Sequence, residues 1–314
     1  MTTASKPAVL AITRNSDAHL AWMREHFDIT VAVEPDFRQR TIEQHGARFR
    51  CVLTNGSEGL HADEITALPN LTLVCVQGTG YEKVDVAAAR QRGITVTNGA
   101  SSNAITVSDH AFALMFSLVR GIPMLDAFAR QGGWRSQLQP LPIVSGRRLG
   151  LCGMGAIGQC IARRAAAFDM PVGYFSRNPK PDVPATHFSS VMALAAWAEV
   201  LIVALPGGMA THHLIGGDAL RALGSKGYVI NVGRGSVVDT VALVACLHAS
   251  EIAGAGLDVY EGEPAFPAAF ENCPNLLVTP HVGGWSQEAL DNSVRMFIDN
   301  ALRHFSGRPL TGVL

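Results

Sequence analysis

A short apolar run, Arg148–Cys152 (RLGLC), leads without a spacer into Gly153-Met154-Gly155-Ala156-Ile157-Gly158, and an alanine-rich stretch begins at Ala156. Few patterns restrict a chain more. In a G-x-G-x-x-G turn the first glycine makes the bend from strand to helix and the second lets backbone approach a pyrophosphate. The third lets the helix pack close to its strand. The helix N-terminus then offers N–H groups to phosphate oxygens. A strand, this turn and a helix in sequence predict a parallel sheet and a dinucleotide site on Gly153, Met154, Gly155, Ala156, Ile157 and Gly158.

The rest of the chain agrees. Runs at 8–13 (AVLAIT), 29–34 (ITVAVE), 49–54 (FRCVLT), 71–76 (LTLVCV) and 94–99 (ITVTNG) alternate with amphipathic stretches, the pattern of a parallel sheet wrapped by helices. From Ser101 to about Trp134 the spacing becomes helical, broken at Gly121-Ile122-Pro123, and reads as a connecting helix between domains. A second series follows: RLGLC, a helix from Ala156, VGYFS at 172–176, a helix over 191–198, VLIVAL, YVINV, a helix over 240–250, GAGLDV and LLVTP. Gln287–Phe305 is an amphipathic helix that ends at Gly307 and Pro309. The fold class is α/β, with two doubly wound parallel-sheet domains. Residues 1–99 plus 286–314 form one, and residues 100–285 are inserted as the other. At 314 residues the chain has the length for both.

Lys and Arg number 25 against 26 Asp and Glu, a formal net charge of −1, with no long run of one sign. That balance argues against a nucleic-acid partner. Charged residues are 16% of the chain, below the usual ~25%, which suits a large interior or a sizeable subunit interface. The six cysteines, Cys51, Cys75, Cys152, Cys160, Cys246 and Cys273, form no C-x-x-C pair and read as reduced, buried side chains of a cytoplasmic protein. The opening MTTASKPAVLAITRN has no secretion-type apolar region, and the most apolar window, Ala193–Ala210, is interrupted by Glu199 and Pro206. A bilayer span needs about 20 apolar residues, so no membrane partner is expected.

About 20 residues beyond the glycines, a site that selects the unphosphorylated dinucleotide carries Asp or Glu. Ser176-Arg177-Asn178 stand there instead. A carboxylate would bond the ribose hydroxyls and repel a 2′-phosphate, whereas a guanidinium pairs with phosphate bidentately. NADP(H) is therefore the preferred cofactor and NAD(H) the alternative, Arg177 being an ordinary loop arginine in the second case. Three later segments each put a charged residue at a strand end: Asn231-Val232-Gly233-Arg234-Gly235, Leu257-Asp258-Val259-Tyr260-Glu261-Gly262-Glu263-Pro264, and Thr279-Pro280-His281-Val282-Gly283-Gly284. Ligands of open α/β sheets bind beyond the carboxyl ends of the strands. Arg234, Glu263 and His281 are thus candidates for one cleft.

With these segments the chain resembles the D-isomer-specific 2-hydroxyacid dehydrogenase family over essentially its whole length. GMGAIG, NVGRGSVVD, AGAGLDVYEGEP and TPHVGG are that family's signatures in its order and spacing. Ser176-Arg177 and the tail HFSGRPL are similar to its NADPH-preferring glyoxylate, hydroxypyruvate and hydroxyphenylpyruvate reductases. The resemblance implies a flavodoxin-like substrate domain, a Rossmann dinucleotide domain and a homodimer built mainly through the latter. It assigns Arg234 to hold the substrate carboxylate and polarise the keto oxygen, through a fork that lysine lacks. His281 is the acid toward that oxygen, and the base in reverse. Glu263 holds the other ring nitrogen and favours the protonated form; Glu261 lies two residues earlier, but the family position is the residue before proline. Cofactor contacts are implied at Thr106, Leu205, Pro206, Val232, Gly233, Asp258 (toward the nicotinamide carboxamide), His281 and Gly283, and substrate contacts at Thr79, Gly80, Arg234 and His281.

The Val76–Tyr81 segment follows a strand, and its N–H groups can form an anion-binding concavity. Glu82 stands where the family often has Asp, and Asp109 reads equally as a helix-start polar residue. Trp285 walls a pocket in one reading and packs in a core or interface in the other. His212-His213 and the lone His110 make neither a helical i, i+4 pair nor H-E-x-x-H, so no metal site is expected. G-x-S-x-G is absent. The expectation is an NADPH-dependent reductase of a small 2-keto acid, glyoxylate or hydroxypyruvate, with hydroxyphenylpyruvate as the aromatic option and a D-hydroxy acid as product. Its cleft would close on hinges near residues 98–103 and 282–288. The rivals are an NAD-linked dehydrogenase working oxidatively and a dinucleotide-sensing binding protein without turnover.

Overall fold

The five apolar runs of the first hundred residues become β1 (Ala8–Ala11), β2 (Asp28–Val31), β3 (Cys51–Asn55), β4 (Leu73–Gln77) and β5 (Thr95–Asn98) in the computed structural model, which describes residues 6–314. All pairings are parallel, in the order β2-β1-β3-β4-β5. Between them lie α1 (Asp17–His26), α2 (Pro35–His45), α3 (Ala62–Thr66) and α4 (Val86–Gln91). Ser16 and Asp85 cap α1 and α4 by accepting from His19 N and Ala88 N, which satisfies donors the first turn leaves over.

The sheet is buried on both faces, and that is why its strands are continuous apolar runs rather than alternating ones. Leu10, Val52 and Val74 pack with Ile42, Ile65 and Leu68 on one side. Val9, Leu53 and Leu73 pack with Met23 and Phe27 on the other, where Val294, Phe297 and Ala301 of the C-terminal helix Gln287–Phe305 join them. Each such side chain contributes about 1.5–3 kcal/mol on burial. The tail then closes the β5 edge: Asn98 N donates to Gly312 O at 2.9 Å and Leu314 N to Val96 O at 3.0 Å. A paired edge is protected from pairing with other chains.

The remaining elements form the second unit, Ala104–Gly284; the first comprises the chain up to Asn103 with Trp285–Leu314. The boundaries fall at 103/104 and 284/285, where the sequence reading drew them at 99/100 and 285/286, because the helix that opens the second unit begins at Ala104. That helix, α5 (Ala104–Val119), is followed by α6 (Ile122–Arg130), β6 (Leu149–Cys152), α7 (Ala156–Ala166), β7 (Val172–Phe175), β8 (Thr186–Phe188), α8 (Val191–Trp197), β9 (Val200–Val203), α9 (Gly217–Leu223), β10 (Tyr228–Asn231), α10 (Thr240–His248), β11 (Gly254–Leu257) and β12 (Leu276–Val278). The C-terminal helix is α11. The sheet is parallel in the order β12-β11-β10-β9-β6-β7-β8. Its order reverses between β6 and β9, as in a Rossmann sheet.

Read as a connector, α5 is in fact a layer of this unit, packed on α7, β10 and β11 with Ala111, Phe112 and Met115 in the core beside Leu151, Ile202 and Ile230. Leu194, Leu220, Leu243 and Leu247 of α8, α9 and α10 cover the opposite face. All six cysteines are unpaired; five are buried and Cys273 is partly exposed, a departure from uniform burial. Among the described residues no single helix is long and apolar enough to cross a membrane.

Candidate active site

The glycine turn sits at the C-terminal end of β6, beside the switch in strand order. Gly153 has φ +108°, and a Cβ there would lie 2.7 Å from the Ala204 carbonyl oxygen; a side chain at Gly158 would collide with the Gly153 carbonyl oxygen. Beside Gly155 nothing lies within 4 Å of where a Cβ would stand. Ser or Asp side chains cap α1, α4, α8, α10 and α11, but α7 has Gly155 at its N-cap and no side-chain cap. The open space and the uncapped first turn suit a pyrophosphate. Ala156 opens α7 with Ile157 partly buried, while Met154 is 2% exposed and belongs to the core, so its place in the turn is through backbone.

At the end of β7, Ser176 Oγ donates to Asn178 O at 2.6 Å, and Arg177 and Asn178 are exposed. The loops after β9 and β10 touch: a Cβ at Gly233 would meet the backbone of Leu205, next to Pro206. Asn231, fully buried, clamps the following turn from both sides, its Oδ1 accepting from Gly233 N at 3.0 Å and its Nδ2 donating to Arg234 O at 3.0 Å. Val232 is buried, and Arg234 is half-buried with Nη1 donating to Gly233 O at 2.7 Å.

His281 and Glu263 are brought together from segments 18 residues apart, with Nδ1 2.8 Å from Glu263 Oε1. The ring is half exposed and Glu263 less so, 50% against 31%. His281 has φ +54°, a left-handed backbone that costs on the order of 1 kcal/mol without glycine. It is pinned there by its own N–H, which is 2.9 Å from Asp258 O and 3.0 Å from Thr279 O. Asp258 holds the rest of the turn. Its Oδ1 accepts from Thr279 Oγ1 at 2.6 Å and Val282 N at 2.9 Å, its Oδ2 from Gly283 N at 2.7 Å. His110 Nε2 stands 3.2 Å from Oδ1.

Burial pushes the Asp258 pKa up, but the hydrogen bonds from His110, Thr279 and the Gly283 and Val282 backbone outweigh it and leave it lowered. The resemblance gave Asp258 to a cofactor carboxamide; here both oxygens are on protein donors. The hydrogen bond to Glu263 raises the His281 pKa, against burial and the opposing charge of Arg234. The sequence reading missed the bracing by Asn231, His110 and Thr279. Asn231 and Thr279 are marked in the sequence only by their adjacency to Arg234 and His281, and His110, in α5, carries no such mark.

Thr79 and Gly80 lie after β4 in the first unit, where Asn98 Nδ2 donates to Thr79 O at 2.8 Å and Thr79 Oγ1 to Asn103 Oδ1 at 3.3 Å. Thr106 is half-buried in the first turn of α5, and Asp109 accepts from Arg164 Nε at 2.7 Å, tying α5 to α7. Trp285 is 72% exposed. His213, given no role by the sequence, bonds Glu261.

A glycine turn at the switch point, an arginine, and a histidine held by a carboxylate define a nicotinamide dinucleotide-binding oxidoreductase of the CH–OH class. The model of the D-isomer specific 2-hydroxyacid dehydrogenase NAD-binding domain matches residues 112–283, and the chain belongs to that family. It is similar to the 2-ketogluconate reductase of Gluconobacter oxydans, 34% identical over 307 residues and 98% of each chain. Among solved structures it resembles a 2-hydroxyacid dehydrogenase from Ketogulonicigenium vulgare, with TM-score 0.91, 37% identity and 99% of each chain covered. It also resembles an NADPH-dependent glyoxylate/hydroxypyruvate reductase from Sinorhizobium meliloti in complex with NADP and malonate, with TM-score 0.85, 34% identity, and 99% of this chain and 97% of that one covered.

Proposed function

We propose that the protein reduces small 2-keto acids, glyoxylate and hydroxypyruvate, with NADPH, and that the chiral product is the D-2-hydroxy acid. The observation that carries this reading is the 2.8 Å bond from Glu263 to Nδ1 of a half-exposed His281. It leaves Nε2 to face a substrate. The open backbone at Gly155 and the uncapped α7 fit the dinucleotide phosphates, and Arg177, with no carboxylate beside it at the end of β7, suits a 2′-phosphate. The relative solved with NADP supports the same preference.

When bound, the nicotinamide supplies the hydride to the keto carbon. Arg234 holds the substrate carboxylate and withdraws electron density from the keto oxygen. His281 gives its Nε2 proton to that oxygen, so the ketone becomes an alcohol, and Glu263 stabilises the protonated ring until then. The raised His281 pKa favours the acid form over a free imidazole. In the oxidative direction the same nitrogen takes the hydroxyl proton.

We further propose a homodimer that covers α6 and the segment after it, in the cytoplasm. No residue of α6 is buried, and Ile122, Met124, Trp134 and Ile143 are 50–73% exposed, an apolar face that a second copy would cover.

Absorbance of the reduced nicotinamide, with glyoxylate, hydroxypyruvate, hydroxyphenylpyruvate and 2-ketogluconate, each with NADPH and NADH, tests the activity. Turnover with NADPH that His281→Ala abolishes is expected, and Arg177→Asp should shift preference toward NADH. Tight NADPH binding without turnover of any keto acid would sink the proposal. Light scattering on a sizing column tests the dimer; a monomeric mass would refute it.

A further inference from the structure

Two histidines and a carboxylate outside the proposed catalytic set meet on the second unit. His212 and His213 lie on the connection between β9 and α9, their rings stacked with centroids 3.9 Å apart and planes 26° from parallel. Glu261 comes from the loop after β11, 48 residues further on, with Oε1 2.7 Å from His213 Nε2. A ring nitrogen of each histidine and a Glu261 oxygen all fall within 4.8 Å of one another. We propose that His212, His213 and Glu261 form a binding site for a divalent transition-metal ion of the zinc class.

Two of the three donors are supported from behind, which is what separates a ligand set from a chance cluster. His213 is fixed by a left-handed backbone, φ +50°, and by its N–H, which donates to Ser236 O at 2.8 Å. Its second ring nitrogen, Nδ1, stands 3.7 Å from Asp239 Oδ2, and Asp239 Oδ1 is itself held as the cap of α10 by Ala242 N at 3.0 Å. At that distance the carboxylate is an ionic neighbour of the ring rather than a hydrogen-bond partner, and its negative charge favours a cation nearby. Glu261 is held as well: Thr240 N donates to Oε2 at 3.0 Å, so Oε1 faces the histidines. His212 is exposed and supplies the adjustable third donor.

Two imidazoles and one carboxylate are a borderline set that suits zinc, nickel or copper, whereas magnesium and calcium take oxygen alone. A tetrahedral ion about 2.1 Å from each donor separates them by about 3.4 Å. That value lies between the 2.7 Å of the His213–Glu261 bond and the 4.8 Å outer limit of the cluster. Small side-chain rotations reach it. The ion takes the place of the proton shared by Nε2 and Oε1, which leaves to solvent, and water fills the fourth position on the exposed side. The bound ion would tie the segment after β9 to the loop after β11.

The test is calorimetric titration of chelator-treated, full-length protein with zinc chloride, wild type beside His212→Ala, with thermal melts of both. Removing an exposed ring that leaves the His213–Glu261 bond in place should not change the metal-free Tm. One zinc per chain, a zinc-dependent rise in wild-type Tm, a loss of about tenfold or more in affinity with His212→Ala, and no response to magnesium are expected. Equal zinc affinity in the two proteins, or no measurable binding by the wild type, overturns the site.

Discussion

One loop, the five residues from Tyr260 to Pro264, presents two carboxylates to two histidines. Glu261 bonds His213 at 2.7 Å and Glu263 bonds His281 at 2.8 Å. Both histidines have left-handed backbones, φ +50° and +54°, and in both the carboxylate bond is the largest cause of a raised pKa. The pairs differ in their company. Arg234 opposes the charge of His281, the histidine whose turn Asp258 ties to the end of β11, while His213 has Asp239 and the first turn of α10 around it. A histidine–carboxylate pair is therefore not in itself a catalytic unit. What sets the His281 pair apart is Arg234 nearby and the glycine turn on the same sheet, the setting in which the proposed chemistry is placed.

The widest separation between the pairs should come from deleting each ring. His281→Ala removes the proposed acid and should lower kcat roughly a thousandfold, a typical share for positioned acid–base catalysis. His213→Ala should leave kcat close to wild type and lower Tm instead. Steady-state kinetics on both variants, with melts to confirm folding, decide it. Comparable loss of kcat in the two would erase the distinction.

The supports behind the rings should differ too. Asp258 is 2% exposed and takes three donors besides His110, so Asp258→Asn should cost about 3 kcal/mol, a fall in Tm of roughly 6–12 °C. Asp239→Asn keeps a helix-capping side chain and should cost well under about 1 kcal/mol. Because the folded Asp258 pKa is lowered, its stabilisation is present above the ordinary carboxylate range and fades as pH falls through the lowered value. Denaturant melts of wild type and Asp258→Asn should therefore converge in acid. A constant gap down to low pH would contradict the assignment.

How much of this was legible in the sequence follows from burial and distance along the chain. Every strand but β8 read correctly because covered faces make them continuous apolar runs, and GMGAIG marked β6 and α7. The edge strand β8 went unread because its Thr-His-Phe is only partly buried and three residues long, and α9 because it is seven residues long and begins at Gly217. Arg234, Glu263 and His281 were found as strand-end charges in family motifs. Their supports were not, since Asn231 and Asp258 act through side-chain bonds to backbone that no spacing announces. Nor could spacing reveal the His213–Glu261 contact, which joins the ends of a 48-residue interval.

The finest separation lies between the two glutamates. Reduction needs a protonated His281, so activity should fall as pH rises through the His281 pKa, which the hydrogen bond to Glu263 raises above the ordinary histidine value. Glu263→Gln replaces the carboxylate with a neutral amide and removes the largest raising cause. The alkaline limb of kcat/KM should then move to lower pH, with a loss near neutrality that recovers as the medium is acidified. In the oxidative direction the neutral ring is required, so the acid limb of the same variant should also move to lower pH. Glu261→Gln, two residues away on the same loop, should leave both limbs in place because its partner is His213. A pH profile of Glu261→Gln displaced like that of Glu263→Gln would mean that the loop acts as one electrostatic body and that the two pairs are not separate.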